Sequence, residues 1–476
     1  RRGRCGCVCA HDRDARRPDR TGGCPMSALL MLVRGRRSLA NALPVIAFAA
    51  ATAIVCTVLA GTGAFYGRLG PSGFEATDPS ASPEAQITPL LVICAVFACV
   101  LLVPNAIALG GAAARLSLAR REKDLAAVRL VGGTRAQVAG VAVSDVAWQS
   151  VVGAVIGVAC HIALAWPLSH LDFGIRKFTA AELILPWWAL ALTPCALALF
   201  ASVSASITLT GVALSPLGIA RGAHKVRMSV MRLLVWVLSI IVFFAVAQFL
   251  PRIQGVSLGA VIVAVVLTVG IMVFSVNLAG PFIVWVIARI VASLAPTPSL
   301  LVGARRLCAD PRAGWRAVSG VTIALVVSGF ASIVTSLPSV DESSRLMNQA
   351  LLTGAVLTVG IATVLAAVST GVTHTARVID QASRYRSQHV AGASISQLHR
   401  ARIAEIAIPV AISLAVSVFM AALVLFSLMG SAASDPLVAV GFVVSVVAAL
   451  GLVSASALVS SPLVARAARA RVRAAG

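Results

Sequence analysis

Charge is scarce in this chain and lysine is nearly missing. Of 476 residues only 12% are charged and 59% are hydrophobic, whereas a soluble domain carries about 25% charged residues. A water-soluble globular fold is therefore excluded, and length is better read in apolar spans of about 20 residues. The three lysines are Lys123, Lys177 and Lys225, and none follows the glycines of a Gly-x-x-x-x-Gly-Lys-Ser/Thr phosphate loop. Nucleotide hydrolysis by this chain is excluded with it. No catalytic triad or metal-site spacing is present, and no disulfide framework is visible. Cys56, Cys94, Cys99 and Cys160 are single residues in apolar spans, where cysteine behaves as a small hydrophobe. The shortage of lysine beside abundant Arg and Ala points to a GC-rich bacterial genome.

The charge that remains is strongly one-sided, at +22. On a soluble protein this would point to nucleic acid, but here its distribution decides otherwise. Of the 39 Lys and Arg, 34 fall in alternate inter-span segments and the termini. The other five are Arg68, Arg176, Lys177, Arg252 and Arg345. That split follows the positive-inside rule with both termini cytoplasmic. The basic charge reports topology and contact with anionic headgroups rather than a nucleic-acid partner. The outer loops hold Glu75, Asp78, Glu84, Asp172, Glu182, Asp341, Glu342 and Asp435 and are slightly acidic.

Hydropathy predicts an all-α, polytopic integral membrane protein with ten transmembrane helices. They cover about 39–63, 88–112, 141–166, 186–210, 231–250, 257–280, 317–337, 351–373, 404–430 and 437–460. The expected organisation is a disordered or non-native tail at 1–25, a four-helix half-unit at 26–212, a linker helix pair at 213–298 and a second four-helix half-unit at 299–476. Residues 27–38 and 299–316 read as interfacial amphipathic helices leading into a span. Residues 281–294, after the Gly280-Pro281 break, read as a further surface helix. Cys5, Cys7, Cys9 and His11 lie in the tail, ahead of a natural start at Met26, and are not taken as a metal or redox cluster.

The half-units are defined by a repeat. Arg120 through Thr134 form a basic, helix-prone run in which Asp124, Leu125, Val128 and Arg129 recur at helical spacing. Gly132-Gly133 ends that helix, since glycine tolerates a left-handed C-cap. Thr134 can then cap a new helix running through Gln137, Val138 and Val141 into the third span. Gly392-Ala393-Ser394, Gln397 and Glu405 repeat Gly132-Gly133-Thr134, Gln137 and Asp145 at a constant offset of 260 residues. Each copy reads as a helix–turn–helix elbow at the inner face, able to pass force from a cytoplasmic partner into a span. A repeat of this length in an apolar chain marks two membrane half-units.

At these residues the chain resembles the FtsX-like permease family, the membrane subunits of ABC systems such as macrolide exporters and lipoprotein-release complexes. The family loop reads roughly Arg-x-x-Glu-apolar-Ala-x-Leu-Arg-x-apolar-Gly-Ala-Ser. Arg121 opens the match, Asp124 stands at the Glu, Arg129 at the Arg and Gly132-Gly133-Thr134 at the Gly-Ala-Ser, while Gly392-Ala393-Ser394 matches the turn outright. The second copy departs from the pattern at Arg384 and His389. Asp145 and Glu405 stand where the family often has an acid. No outer loop is long enough for the large extracytoplasmic domain that many members carry.

The resemblance implies a bacterial cell-membrane permease, not an enzyme. It holds no cofactor itself and works with a separate ABC-type ATPase, in two copies, that binds ATP and Mg. Its cargo would be an amphiphile such as a peptide antibiotic, lipid or hydrophobic drug, exported or extracted. The alternative is a transmembrane signal transmitter acting on a cell-wall hydrolase or sensor kinase. The coupling residues implied are Arg121, Asp124, Arg129, Gly132, Gly133 and Thr134, with Gly392, Ala393 and Ser394.

Asp145 and Glu405 are open to two readings: contact with the ATPase, or pairing with an arginine at the membrane edge. His161, inside a span, is expected as a packed neutral histidine rather than a proton relay. Asn105 and Asn277 are expected to join helices or satisfy a kink. Trp187, Trp188 and Trp236 are expected at headgroup level.

Overall fold

The computed structural model describes residues 39–69, 83–120, 134–213, 230–253, 258–316, 342–380 and 394–429, with 318–320, 322, 326, 387, 390–392 and 447. The tail, the lead-in at 27–38, most of the spans expected at 317–337 and 437–460, and residues 121–133 lie outside the described residues. The described helices fall in the compact unit Ala40–Gly476 apart from Leu39.

Among the described residues, nine α-helices are labelled in chain order: α1 (Leu39–Gly67), α2 (Pro83–Arg120), α3 (Arg135–Ser169), α4 (Trp187–Ala213), α5 (Met231–Phe249), α6 (Leu258–Leu294), α7 (Pro298–Ala309), α8 (Glu342–Asp380) and α9 (Ile395–Met429). No strand occurs among the described residues. Eight of these helices are long and apolar enough to cross a membrane, and α7 is the exception. Helix is the form this composition must take, because every backbone polar group in hydrocarbon needs an internal partner. The helices α2, α3, α6, α8 and α9 have 35 to 39 residues, well above the ~20 that cross about 30 Å of hydrocarbon at 1.5 Å per residue. The chain is a multi-pass, all-α membrane protein.

Large apolar side chains face outward on several helices: Trp187 is 81% exposed, Ile207 68% and Ile241 58%. An apolar belt of this size on a soluble protein would aggregate; here it meets lipid. The buried core gathers Phe48, Leu102, Phe243, Met272, Trp315 and Met420. The α2 helix packs along α8, α6 and α4, while α3 packs on α4, α5 on α6, and α7 on both α6 and α9.

Close approach between helices rests on small residues. A Cβ at Gly153 would lie 2.5 Å from Cβ of Phe48, and one at Gly157 would lie 2.5 Å from the Ala49 carbonyl oxygen. This is the small-x-x-x-small solution to packing in lipid, where apolar burial gives little drive for association. Ser413 and Ser417 stand 260 residues later in α9. Ser413 Oγ lies 2.7 Å from Thr322 Oγ1, and Ser417 Oγ donates to the Thr322 carbonyl at 3.4 Å.

Two expectations are corrected. Residues 281–294 are not a separate surface helix, because α6 runs unbroken through Pro281. Gly280 lets the Trp315 indole lie directly on the α6 backbone, and Val284 and Ala288 beyond it are fully buried. Residues 299–316 are not one helix. The α7 helix ends at Ala309, and the Asp310 carboxylate accepts from the Ala313 amide at 3.2 Å to start a new helical stretch at 311–316. An acid followed by Pro311 is a helix start, since proline suits the first helical position.

Candidate functional site

The elbows show how the sequence sets the entry to each third span. Thr134 is extended, with φ −68° and ψ 156°. The Gln137 amide donates to Thr134 Oγ1 at 3.3 Å, and the Thr134 amide donates to Gln137 Oε1 at 3.1 Å. This reciprocal capping box satisfies two amides that the first helical turn would leave without partners. Ser394 and Gln397 make the same box at the head of α9, with distances of 3.2 and 3.0 Å. Gly392, two residues earlier, has φ +97° and follows an Ala391 amide that donates to the Ser387 carbonyl. A left-handed glycine is the usual stop for the preceding helical turn.

The bounds repeat as well. The α3 helix starts at Arg135 and α9 at Ile395. These starts are 260 residues apart. Of the elbow residues expected to couple to a partner, Thr134, Gly392 and Ser394 are described; Arg121, Asp124, Arg129, Gly132, Gly133 and Ala393 lie outside the described residues.

The two acids expected at the inner face occupy equivalent positions but meet different partners. Asp145 Oδ2 accepts from Gln149 Nε2 at 2.7 Å, and Gln149 Oε1 accepts from Ser117 Oγ at 3.0 Å. That chain ties α3 to α2. Glu405 lies 3.8 Å from Arg306 Nη1, with its side chain 8% exposed. Gly303, one turn before Arg306, lets α7 approach so closely that a Cβ there would lie 2.7 Å from the Ala401 carbonyl oxygen. Helix α7 is thus keyed onto the head of α9, a contact its sequence signals only through one glycine and a basic face.

Among the individually weighed residues, His161 Nδ1 lies 3.1 Å from Thr57 Oγ1, which places it in the α1–α3 packing. Asn105 serves both expected ends. Its Nδ2 donates to the Leu101 carbonyl at 2.9 Å beside Pro104, and its Oδ1 accepts from Ser319 Oγ at 3.4 Å. Asn277 Oδ1 accepts from Trp315 Nε1 at 3.3 Å. Trp187 and Trp188 are exposed at the start of α4. Trp236, near the start of α5, packs edge-on against Phe419 of α9, with ring centroids 6.2 Å apart.

Two features escaped the sequence. Between α3 and α4, residues 170–186 fold into a cap whose Phe173 and Phe178 stack edge-on with Phe65. Arg68 locks it. Its guanidinium lies 3.7 Å over the Phe178 ring, donates to the Lys177 carbonyl at 3.0 Å and to Glu182 Oε2 at 2.6 Å, and donates to the Arg176 carbonyl. Partial burial raises the pKa of the Glu182 carboxyl, but the hydrogen bond and charge of Arg68 outweigh it, with help from the Thr179 amide and the Arg176 charge. The net pKa is lower than usual. The cap reaches α8, where Thr353 Oγ1 donates to the Asp172 carbonyl at 2.8 Å.

The second feature is a cavity of about 330 Å³ between α2, α6, α8 and the helical stretch that carries Trp315. Its walls are mostly aliphatic and aromatic, with Asn105, Asn277 and Ser369 among them and with Arg115 and Arg316 at one end.

Comparison with known families places this architecture. Residues 95–214, from the middle of α2 through α4, match the family described as FtsX-like permease C-terminal. No curated protein matches the chain. The matched segment contains the first elbow, its capping box and Asp145, the features on which the resemblance to this family rests. Within this multi-pass membrane protein, residues 95–214 are thus similar to an FtsX-like permease region.

Proposed function

We propose that this chain is the membrane subunit of an ATP-driven ABC system, and that it moves or extracts an amphiphilic substrate under force from a separate ATPase. The observation that carries the reading is the pair of capping boxes, Thr134–Gln137 and Ser394–Gln397, each heading a long apolar helix. In this reading residues 26–212 and 299–476 are two half-units joined by linker helices at 213–298. One chain offers two elbows to two ATPase copies. The positive-inside distribution supports a topology with both elbows and both termini in the cytoplasm.

A capped helix start is a stiff lever. Motion of an ATPase against the turn passes along α3 or α9 without being absorbed in a frayed first turn, and rocks the packed spans as a body. The elbows differ in what braces them. The first is tied to α2 through Ser117, Gln149 and Asp145, and the second to α7 through Arg306 and Glu405. Lateral access from the bilayer suits an amphiphile, because the described outer loops are short.

The test is co-purification of the intact chain with an ABC-type ATPase encoded beside it, followed by ATP hydrolysis in nanodiscs against a panel of peptides and lipids. Stimulation by an amphiphile, lost on disrupting the two turns, is the expected result. Failure of any ATPase to bind the intact chain would end this reading.

A further inference from the structure

The 170–186 cap joins two parts of the bundle and holds them by different chemistry. Its first attachment is to α1. Arg68 donates to Glu182 and to the Lys177 and Arg176 carbonyls, and its guanidinium lies over Phe178. Phe65 stands edge-on to Phe173 at 5.4 Å and to Phe178 at 5.0 Å. The second attachment is to the first turns of α8. Thr353 Oγ1 donates to the Asp172 carbonyl at 2.8 Å. Gly174, with φ +70°, sits so close that a Cβ there would lie 3.2 Å from the Leu346 carbonyl oxygen. Leu346, Met347, Ala350 and Leu351 of α8 join Phe173 and Phe178 in one apolar cluster.

In a bilayer the apolar contacts exchange for lipid chains at little cost, because burial from lipid gives no hydrophobic drive. Polar contacts do not exchange in this way, so they decide which attachment is firmer. Toward α1 they are the hydrogen bonds of a guanidinium, one of them to a carboxylate, and such charge-assisted bonds are about twice as strong as neutral ones. Toward α8 the described polar contact of the cap is a neutral hydroxyl–carbonyl bond, whose net contribution is modest. The cap also keeps its own shape where it meets α8, since Asp172 Oδ1 accepts from the Gly174 amide at 2.8 Å. A loop built this way parts from α8 before it parts from α1.

Position gives the weaker seam a use. The α3 helix runs from the Thr134 box to the cap, so the cap lies at the end of α3 away from that elbow. The α2 helix packs along α8, and the cluster under the cap takes Ile87 and Leu91 from α2. The cavity between these helices is lined on α8 only from Leu365 onward, about 18 Å beyond Thr353 at 1.5 Å per residue. The two helices are thus strapped at one end and hollow farther along.

We propose that the cap is a one-sided latch: it stays with α1 and releases the first turns of α8. Packed helices move as bodies between discrete arrangements, and the latch selects the arrangement in which this end of α8 is held against α1 and α2. Its service as a gate for a substrate rests on the permease reading above; the unequal attachment does not.

Two buried alanines in the cluster under the cap report its two sides. Ala350 of α8 is 1% exposed and Ala64 of α1 is 9% exposed. Cysteine is placed at each in turn in the full chain in micelles. Its rate of modification by a water-soluble maleimide is read by peptide mass spectrometry, which separates it from the native cysteines. Thr353→Val keeps the side-chain shape and removes the donor. It should speed modification at Ala350→Cys about five-fold, as expected for losing one neutral hydrogen bond, and leave the rate at Ala64→Cys unchanged. Arg68→Gln should speed both. Equal acceleration at the two positions by Thr353→Val, or none at either, overturns the latch. If a cysteine variant fails to fold, hydrogen exchange of the chain carrying Thr353→Val alone decides. It should quicken in the first turns of α8 and stay unchanged in residues 178–182 of the cap; a rise in both, or in neither, overturns the latch. No ATPase takes part, so these outcomes sink the latch alone, and failure of an ATPase to co-purify sinks the permease reading alone.

Discussion

Arg306 and Glu405 face each other across 3.8 Å where α7 meets the head of α9, with both side chains largely buried. The pair lies four residues past Ala401, whose carbonyl sits against Gly303 of α7. Ion pair and close approach together make α7 a brace for the second elbow. Removing one member of a buried pair leaves the other carrying its desolvation cost. Arg306→Ala should therefore destabilise the chain by about 1–3 kcal/mol, and Arg306→Ala with Glu405→Gln should cost less than the sum of the two. A double-mutant cycle on thermal or denaturant unfolding in micelles checks it; a coupling energy of zero would show the two residues to be independent.

The capping boxes make a matched prediction at two distant places. Thr134→Ala and Ser394→Ala should each cost about 1 kcal/mol, and Thr134→Ser almost nothing, because serine keeps the accepting oxygen. The loss should be local. Hydrogen exchange should quicken in the first turn of α3 or of α9 and stay unchanged in α6. If the elbows are levers, the same variants should reduce substrate-stimulated ATP hydrolysis more than basal hydrolysis. Gly392→Ala tests the neighbouring turn: space is open around it, so its cost comes from the positive φ alone, about 1–2 kcal/mol.

The contact of α1 with α3 should be intolerant of a single methyl. Gly157→Ala would drive a Cβ to 2.5 Å from the Ala49 carbonyl and 2.6 Å from Cβ of Thr52, and backbone cannot give way as a flexible side chain can. Overpacking of this kind costs about 1–3 kcal/mol. Gly63→Ala, in α1 but with open space around it, is the control and should leave the thermal midpoint unchanged or raise it slightly. A fall at both positions would mean that helix α1 resists any substitution, and would discard the contact as the cause.

The all-α span pattern and the elbow caps could be read from the chain because both depend on local chemistry. An apolar run has one solution in lipid, and Thr or Ser three residues before Gln is a helix start wherever it falls. The small-residue seam lies on the same 260-residue offset, as Gly153, Gly157, Ser413 and Ser417, but its packing role depends on which helices meet. What could not be read depends on contacts between distant segments. Gly280-Pro281 looks like a break, yet proline is tolerated inside a membrane helix, and Gly280 is there to receive Trp315. Asp310 looks like one more polar residue of a basic lead-in until its carboxylate is seen capping residue 313. Arg115 and Arg316 are about 200 residues apart in the chain, and only the packing of α2 against α6 and α8 puts them in one cavity. Charge assigns Arg68 and Glu182 to the same side of the membrane in the sequence, but their pairing requires the fold of the 170–186 cap.

That cap supplies a prediction about acid. Glu182 has a depressed pKa in the folded chain, because the hydrogen bond and charge of Arg68 outweigh the effect of burial. A carboxyl whose folded pKa is depressed contributes stability above its unfolded value and loses it as pH falls through the folded value. The cap should thus be closed at neutral pH and should loosen on the acid side, beginning below the ordinary glutamate range. The measurement is hydrogen exchange, or accessibility of a cysteine placed at Thr179, across a pH series in micelles. Glu182→Gln should loosen the cap at neutral pH and flatten its pH dependence, because the amide keeps a hydrogen-bond acceptor but not the charge. Arg68→Gln should do the same and also free Phe178, over which the guanidinium now lies. A pH profile unchanged by Glu182→Gln would assign the acid response to another group and leave the Arg68–Glu182 contact with a packing role only.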